Sequence, residues 1–217
     1  MKPEKPHSVC PCKGLSSPLG IKRLTDVILA LLGLLTLYPL CWLWIAPLIK
    51  LSSRGPVLFR QARTGLGGKT FRCIKFRTLA VNPDADTVQV EGDDPRVYPF
   101  GGWLRRTALD ELPQLWNVLK GEMALVGPRP HMLAHTEAFT EMFPEEYPLR
   151  HAARPGITGW AQVNGSRGAL LGPEDVRFRL DLDLWYIRNW SPALDCKIFL
   201  MTLWESIHPQ PVQRKSH

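Results

Sequence analysis

Cysteine is scarce and scattered in this 217-residue chain: Cys10, Cys12, Cys41, Cys73 and Cys196. Cys10-Pro11-Cys12 has the wrong spacing for a zinc half-site, and no Cys/His cluster follows it. The thiols read as reduced and structural, in a cytoplasmic setting. The chain also lacks internal repeats and low-complexity tracts. Residues 1–18 do not read as a secretory signal, since no short apolar core is followed by a small-residue cleavage site. The most informative absence is of charge. From Val27 to Ile49 there is no Asp, Glu, Lys, Arg or His, a run of 23 residues.

A membrane-spanning helix needs about 20 apolar residues, so this run is expected in a membrane. Pro39 sits near its middle and removes a backbone hydrogen bond, which kinks or breaks a helix. Thr36 is placed to satisfy one of the freed carbonyls. Both flanks are basic, with Lys22 and Arg23 before and Lys50, Arg54 and Arg60 after. The positive-inside tendency puts both ends on the cytoplasmic face. A re-entrant segment that bends at Tyr38-Pro39 satisfies both facts. A single spanning helix satisfies the length alone, and the residues leave the two open.

Elsewhere charge is plentiful, with a net value of +7 and a pI near 9.3. That balance implies an anionic partner: nucleic acid, a membrane surface or a phosphorylated substrate. No nucleic-acid-binding motif is present, and the apolar run argues against that class. The length suits one medium domain with a real core.

The chain centres on Thr107-Ala108-Leu109-Asp110-Glu111-Leu112-Pro113-Gln114-Leu115. Two carboxylates stand side by side, with Arg105 and Arg106 just upstream. Proline is tolerated only in a helix's first turn, so a helix is expected to start near Asp110 as its N-cap. A carboxylate among arginines at an anion-binding helix end can attack phosphorus or hold a metal on a phosphate. An Asp cap beside a solvated Glu is the plain alternative.

Around this centre, Val57–Arg60 and Lys69–Thr78 read as strands of a hairpin. Alternation puts Phe71, Cys73, Lys75 and Arg77 on one face, where Lys75 and Arg77 could clamp a phosphate; a solvated basic edge strand fits the spacing equally. Residues 80–99 read as a loop. Gly127-Pro128-Arg129-Pro130 pins one arginine between two prolines, as an anion clamp or a plain turn. Residues 131–149 read as a helix ended by Pro144 and Pro148. Arg154–Gly165 reads as a loop dense in turn residues. Pro173–Trp190 reads as a helix with Phe178, Leu182 and Trp185 on one stripe. Ser191-Pro192 starts a last helix, with Leu194, Ile198, Met201 and Leu203 apolar, packed in the core or laid on a membrane surface.

Leu104 to Pro130, Arg154 to Gly165, Lys75-Phe76-Arg77-Thr78 and Asp183-Leu184-Trp185-Tyr186 together resemble the bacterial sugar transferase family. These are the monotopic polyprenyl-phosphate phosphoglycosyl transferases. The likeness covers about residues 20–207. Its most specific stretch is Asp-Glu-Leu-Pro-Gln-Leu-x-Asn-Val-Leu-x-Gly, followed by Val-Gly-Pro-Arg-Pro.

The resemblance implies transfer of a sugar-1-phosphate from a UDP-sugar to undecaprenyl phosphate, with release of UMP. It implies Asp110 as the nucleophile of a phosphosugar-aspartate intermediate and Glu111 as a Mg²⁺ ligand. Lys75 and Arg129 would bind phosphate; Asp183 and the Arg154–Gly165 loop would shape the nucleotide-sugar pocket. The candidate substrate-binding set is therefore Lys75, Arg77, Arg105, Arg129, Arg154, Gln162, Asn164 and Asp183. Direct one-step transfer and a non-catalytic membrane scaffold are the alternatives. The family break is often Ser-Pro, so Tyr38-Pro39 keeps the proline and loses the hydroxyl. Ala108, Glu122 and Ala124 stand where polar Ser or Asp is usual.

The expected fold class is α+β. A mostly helical catalytic domain with a small β-hairpin occupies residues 51–207. A re-entrant membrane segment at 20–50 is joined by amphipathic interfacial helices. Tails lie at 1–19 and 208–217, and the multi-span N-terminal region of longer relatives is expected to be absent. The expected location is the bacterial inner membrane, with the catalytic domain on its cytoplasmic face and lipid as a partner. The oligomeric state is open, a homodimer included, as is the sugar.

Overall fold

The proline-interrupted apolar run folds as two helices, α1 (Leu19–Leu35) and α2 (Leu37–Ser52). They meet at Thr36 with a bend of 49°. Pro39 falls in the first turn of α2, where its missing N–H needs no partner. Thr36 Oγ1 donates to Leu32 O at 2.7 Å, while the carbonyl four residues before Pro39 is that of Leu35. The computed structural model describes residues 19–86, 88–90, 94–170 and 172–208. The tails, apart from Leu19 and His208, lie outside the described residues, as do Cys10 and Cys12. Among the described residues no single helix is long and apolar enough to cross a membrane; the bent pair together is, by length and composition.

The start of α1 is fastened to the rest of the chain by charge. Arg23 donates to Val118 O and Leu119 O at 2.5 and 2.8 Å. It thereby caps the C-terminal carbonyls of α4 (Leu115–Lys120), adding to the Gly121 N–H that Val118 O already accepts. Lys22 donates to Val126 O at 3.0 Å and pairs with Asp195 at 2.5 Å. Asp26 accepts the Leu125 N–H at 3.1 Å. Beyond this the two helices bury one stripe, with Ala30, Leu34, Ile45 and Ile49 inside. The opposite side leaves Ile28, Leu32, Leu35, Leu40, Leu43 and Leu51 exposed. An apolar face of this size marks a contact with something other than water.

The predicted hairpin is present as β1 (Leu58–Thr64) and β2 (Thr70–Phe76), antiparallel, with Gln61 opposite Cys73. The free edge of β2 is closed by one side chain. Asn117, fully buried in α4, accepts the Ile74 N–H at 3.0 Å and donates to Arg72 O at 2.7 Å. Glu122 accepts the other amide N–H of Asn117 at 2.6 Å, so this longer acid has a partner of its own. A second sheet has two parallel strands, β3 (Ala124–Val126) and β4 (Gly156–Thr158). Here the backbones touch at glycine: a Cβ on Gly156 would lie 2.1 Å from Gly127 N.

The remaining helices are α3 (Pro99–Arg106), α5 (Leu133–Met142), α6 (Trp160–Val163), α7 (Pro173–Asn189) and α8 (Pro192–Ile207). The helix expected over 131–149 is two pieces. α5 ends before Pro144, and a 3-10 turn spans Tyr147–Ala152 with Pro148 in its first turn. The Arg154–Gly165 segment is not a free loop, since it supplies β4 and α6.

The stripe expected on α7, Phe178, Leu182 and Trp185, lies on the outer face of the helix. Phe178 and Trp185 are 43% and 42% exposed. The helix buries Val176, Leu180, Leu184 and Ile187 instead. Both stripes have helical spacing, and packing against Tyr147, Phe139 and Ile198 selects the second. α8 packs through Ile198 and presents Leu200, Leu203 and Trp204 outward, so Leu203 is not a core residue. The architecture is thus mixed helix with two small sheets, as the expected α+β class requires.

Candidate active site

Asp110 and Glu111 lie in a 3-10 turn spanning Leu109–Gln114 that leads into α4. Asp110 is therefore not the N-cap expected of it. The cap position is Ala108, held at φ +56° in the left-handed region and offering no side-chain hydrogen bond. A non-glycine residue there carries strain of about 1–2 kcal/mol. The turn aims two side chains inward. Leu109 and Leu112 pack against Ile45, Ile49 and Phe76, which ties the acidic pair to α2.

β2 brings Lys75 to the acids. Its Nζ lies 2.6 Å from Glu111 Oε1. The Gly127–Pro130 segment brings Arg129, whose Nη2 is 3.1 Å from the same oxygen. Burial alone would raise the Glu111 carboxyl; Lys75 and Arg129 outweigh it and hold Glu111 well below the usual carboxylate range. Asp110, 6% exposed, goes the other way. Burial pushes it up to about 6, against Lys75 and with Glu111's negative charge adding to the rise. The pair is split into one acid locked as an anion and one poised near neutrality.

Asp110 opens onto a cavity of about 310 Å³. Arg63, Lys75, Arg77, Arg105, Arg129 and Arg179 line it, and among the described residues Asp110 is the sole lining carboxylate. Six cations facing one acid make a site for a multiply charged anion. Phe59, Val81, Val88 and Leu170 supply apolar wall.

Four of the candidate residues, Lys75, Arg105, Arg129 and Asp110, meet at this cavity, with Glu111 paired to Lys75 and Arg129 behind it. Arg77 also lines it, but its guanidinium donates to Pro56 O, Leu79 O and both oxygens of Ser53. These bonds fasten the C-terminal end of α2. Arg154 (on Gly121 O), Gln162 (on Ile157 O) and Asn164 (on Trp160 O) lie outside the cavity wall. Asp183 is also behind the wall, 2% exposed and paired with Arg150 at 2.6 Å. Arg150 in turn donates to Arg129 O at 2.9 Å, so this buried pair braces the clamp arginine. Sequence reading missed Arg63, His131, His135 and Arg179, which line the cavity from β1, the Gly127–Met132 segment, α5 and α7. Nothing in their spacing marks them, because tertiary pairing alone makes them neighbours.

No group of three or more His, Cys, Asp or Glu that could hold a metal occurs among the described residues. A protein cage is thus lacking there. Mg²⁺ does not need one: one or two carboxylates with water and substrate phosphates complete its shell. Both ion pairs of Glu111 use Oε1, which leaves Oε2 outside them, and a carboxylate oxygen is the donor type Mg²⁺ takes.

Residues 18–209 match the family described as bacterial sugar transferase. The chain belongs to that family. Among its relatives is the UDP-glucose:undecaprenyl-phosphate glucose-1-phosphate transferase of Escherichia coli K12, 48% identical over 85% of this chain and 40% of that protein. The undecaprenyl-phosphate glucose phosphotransferase of Komagataeibacter xylinus is 50% identical over 84% of this chain and 35% of its own length. A UDP-glucose:undecaprenyl-phosphate glucose-1-phosphate transferase of Caulobacter vibrioides is 48% identical, covering 84% of this chain and 68% of that protein. The chain thus spans well under half of the first two relatives.

Proposed function

We propose that the chain transfers a sugar-1-phosphate from a UDP-sugar to undecaprenyl phosphate, releasing UMP, through a covalent intermediate on Asp110. One observation carries the reading: a desolvated aspartate beside a cation-locked glutamate, in a cavity with six basic side chains. Relatives whose names specify that transfer support it.

The charges explain how an anion could attack an anion. Two approaching phosphates would be repelled by Asp110 and Glu111 alone. Lys75, Arg105 and Arg129 offset that repulsion and favour the charge that builds on phosphoryl oxygens. Asp110 Oδ attacks the phosphorus that bears the sugar. The bond from that phosphorus to the bridging oxygen breaks, and UMP leaves with the electron pair. A phosphate oxygen of the lipid then attacks the same phosphorus, and the Asp110 carboxylate departs. Atoms and charge balance with no proton taken up by the enzyme. Glu111, already paired, keeps Lys75 and Arg129 in place. Mg²⁺, held by Glu111 Oε2 and Asp110, would neutralise diphosphate charge.

Covalent capture also separates the water-soluble donor from the membrane acceptor in time. The exposed leucines of α1 and α2 suit a seat in one leaflet at the cytoplasmic face of the inner membrane, re-entrant at Thr36–Pro39. Leu109 and Leu112, packed on α2, would then hold Asp110 at headgroup height.

Asp110→Asn tests the catalytic reading: UMP release is expected to fall at least a thousandfold, and normal release would remove Asp110 from the chemistry. Topology is tested by labelling single cysteines introduced at the two ends of the apolar run from the periplasmic side. Protection of both ends is expected; reaction at one end only would indicate a spanning segment.

A further inference from the structure

Among the described residues lining the cavity, only His131 keeps a buried side-chain nitrogen without a hydrogen-bond partner. The residue is 5% exposed, and the orphan is Nε2. The opposite ring edge is fully engaged. Nδ1 lies 2.6 Å from the Tyr147 hydroxyl and 3.3 Å from Arg150 Nη1. A guanidinium can only donate, so a proton on Nδ1 would face another donor. Nδ1 is therefore the acceptor, and the partners assign the ring proton to Nε2.

The ring is also kept neutral. Burial holds its pKa well below the ordinary histidine value, and the charges of Arg150, Arg179 and Arg63 add to the effect. Arg150 is itself fixed by Asp183. A chain of three buried side chains thus presets one uncharged N–H donor on a residue of the cavity lining, enclosed just behind the surface, so that a small shift of the wall would bring it to a ligand. An unpaired buried N–H is costly, and a ligand oxygen would remove that cost. Arginines suit phosphate oxygens; a neutral donor suits a neutral acceptor.

We propose that His131 Nε2–H donates to an uncharged oxygen of the nucleotide-sugar donor, a sugar hydroxyl or a uracil carbonyl, and so helps to select that donor. The proposal rests on the reading of the cavity as a UDP-sugar site. A site built around such a donor rejects analogues that leave it unpaired.

Two substitutions separate binding from support. In His131→Asn the amide oxygen replaces Nδ1 towards Tyr147 and Arg150, and the Nε2–H donor is lost. In His131→Gln the longer amide returns an N–H to the Nε2 position. Steady-state kinetics with UDP-glucose, with thermal melts to check folding, read the difference. KM is expected to rise about tenfold in His131→Asn, with kcat changed little, and to stay near wild type in His131→Gln. UMP affinity measured by calorimetry then assigns the acceptor: unchanged in His131→Asn means a sugar hydroxyl, weakened by the same factor means the base. A purely structural histidine gives the reverse order, with Gln the worse variant. That order, or equal KM in all three proteins, overturns the proposal. A wild-type protein that releases no UMP from any UDP-sugar overturns the function instead.

Discussion

Lys75 Nζ sits 2.6 Å from Glu111 Oε1, while Arg129 reaches the same oxygen at 3.1 Å. One carboxylate oxygen thereby organises both clamp cations, and its neighbour Asp110 is left to face the cavity. The acidic pair is a division of labour between residues adjacent in sequence: Glu111 is structural and electrostatic, Asp110 reactive.

Removing Lys75 tests that division. Lys75→Met leaves Glu111 with Arg129 alone in a mostly buried setting. A loss of about 1–3 kcal/mol in stability is expected, with UMP release down 10²–10³-fold. Adding Glu111→Gln should recover much of the stability and none of the activity. Denaturant melts and a UMP-release assay on wild type and the two variants check both parts.

Asp110 makes a prediction with a definite sign. Its folded pKa, about 6, lies above the ordinary aspartate value of 3.8. The folded protein therefore binds more protons than the unfolded one between those values, and stability falls as pH rises through that window. Asp110→Asn should stabilise the protein at pH 7.5, by on the order of 2 kcal/mol, with the gain vanishing below pH ~4. A pH series of urea melts measures it; a destabilised variant at pH 7.5 contradicts it. Wild-type UMP release should also decline below about pH 6, as the nucleophile is protonated.

Strain at Ala108 is independently accessible. Its φ of +56° suits glycine. Ala108→Gly should raise stability by about 0.5–1 kcal/mol, and Ala108→Val should lower it. Thermal melts of the two variants suffice.

The buried brace behind Arg129 gives a fourth test. Asp183→Leu strands Arg150 without its partner and should cost about 3–5 kcal/mol. Replacing both, with Arg150→Met, should return most of the stability. Activity should stay low, because Arg150 also holds the Arg129 carbonyl and His131 Nδ1. Recovery of full activity in the double variant would show that the brace does not position the site.

The acidic pair and the cations around it were legible because the chemistry is written locally: two adjacent acids, an arginine between prolines, a lysine on an alternating strand. Arg63, His131 and Arg179 were not, since each reaches the cavity from a separate element and carries no local signal. Asp183 was expected at the pocket and stands one layer behind it, because burial against Arg150 cannot be read from helical spacing. Which stripe of α7 is buried was illegible for a related reason. Phe178 and Trp185 have the period of a core face, and so do Val176, Leu180 and Ile187; packing chose between them. The helix break was legible as a proline, but it falls at Thr36, because Pro39 is accommodated within the first turn of α2.

The central claim is that Asp110 itself bonds to phosphorus. Intact-protein mass spectrometry after incubation with a UDP-sugar and Mg²⁺, without lipid acceptor, reads this directly. A hexose-phosphate adduct that maps to Asp110, is absent from Asp110→Asn and disappears when undecaprenyl phosphate is added is the predicted result. An unmodified wild-type protein that still releases UMP once the lipid is supplied would contradict the claim.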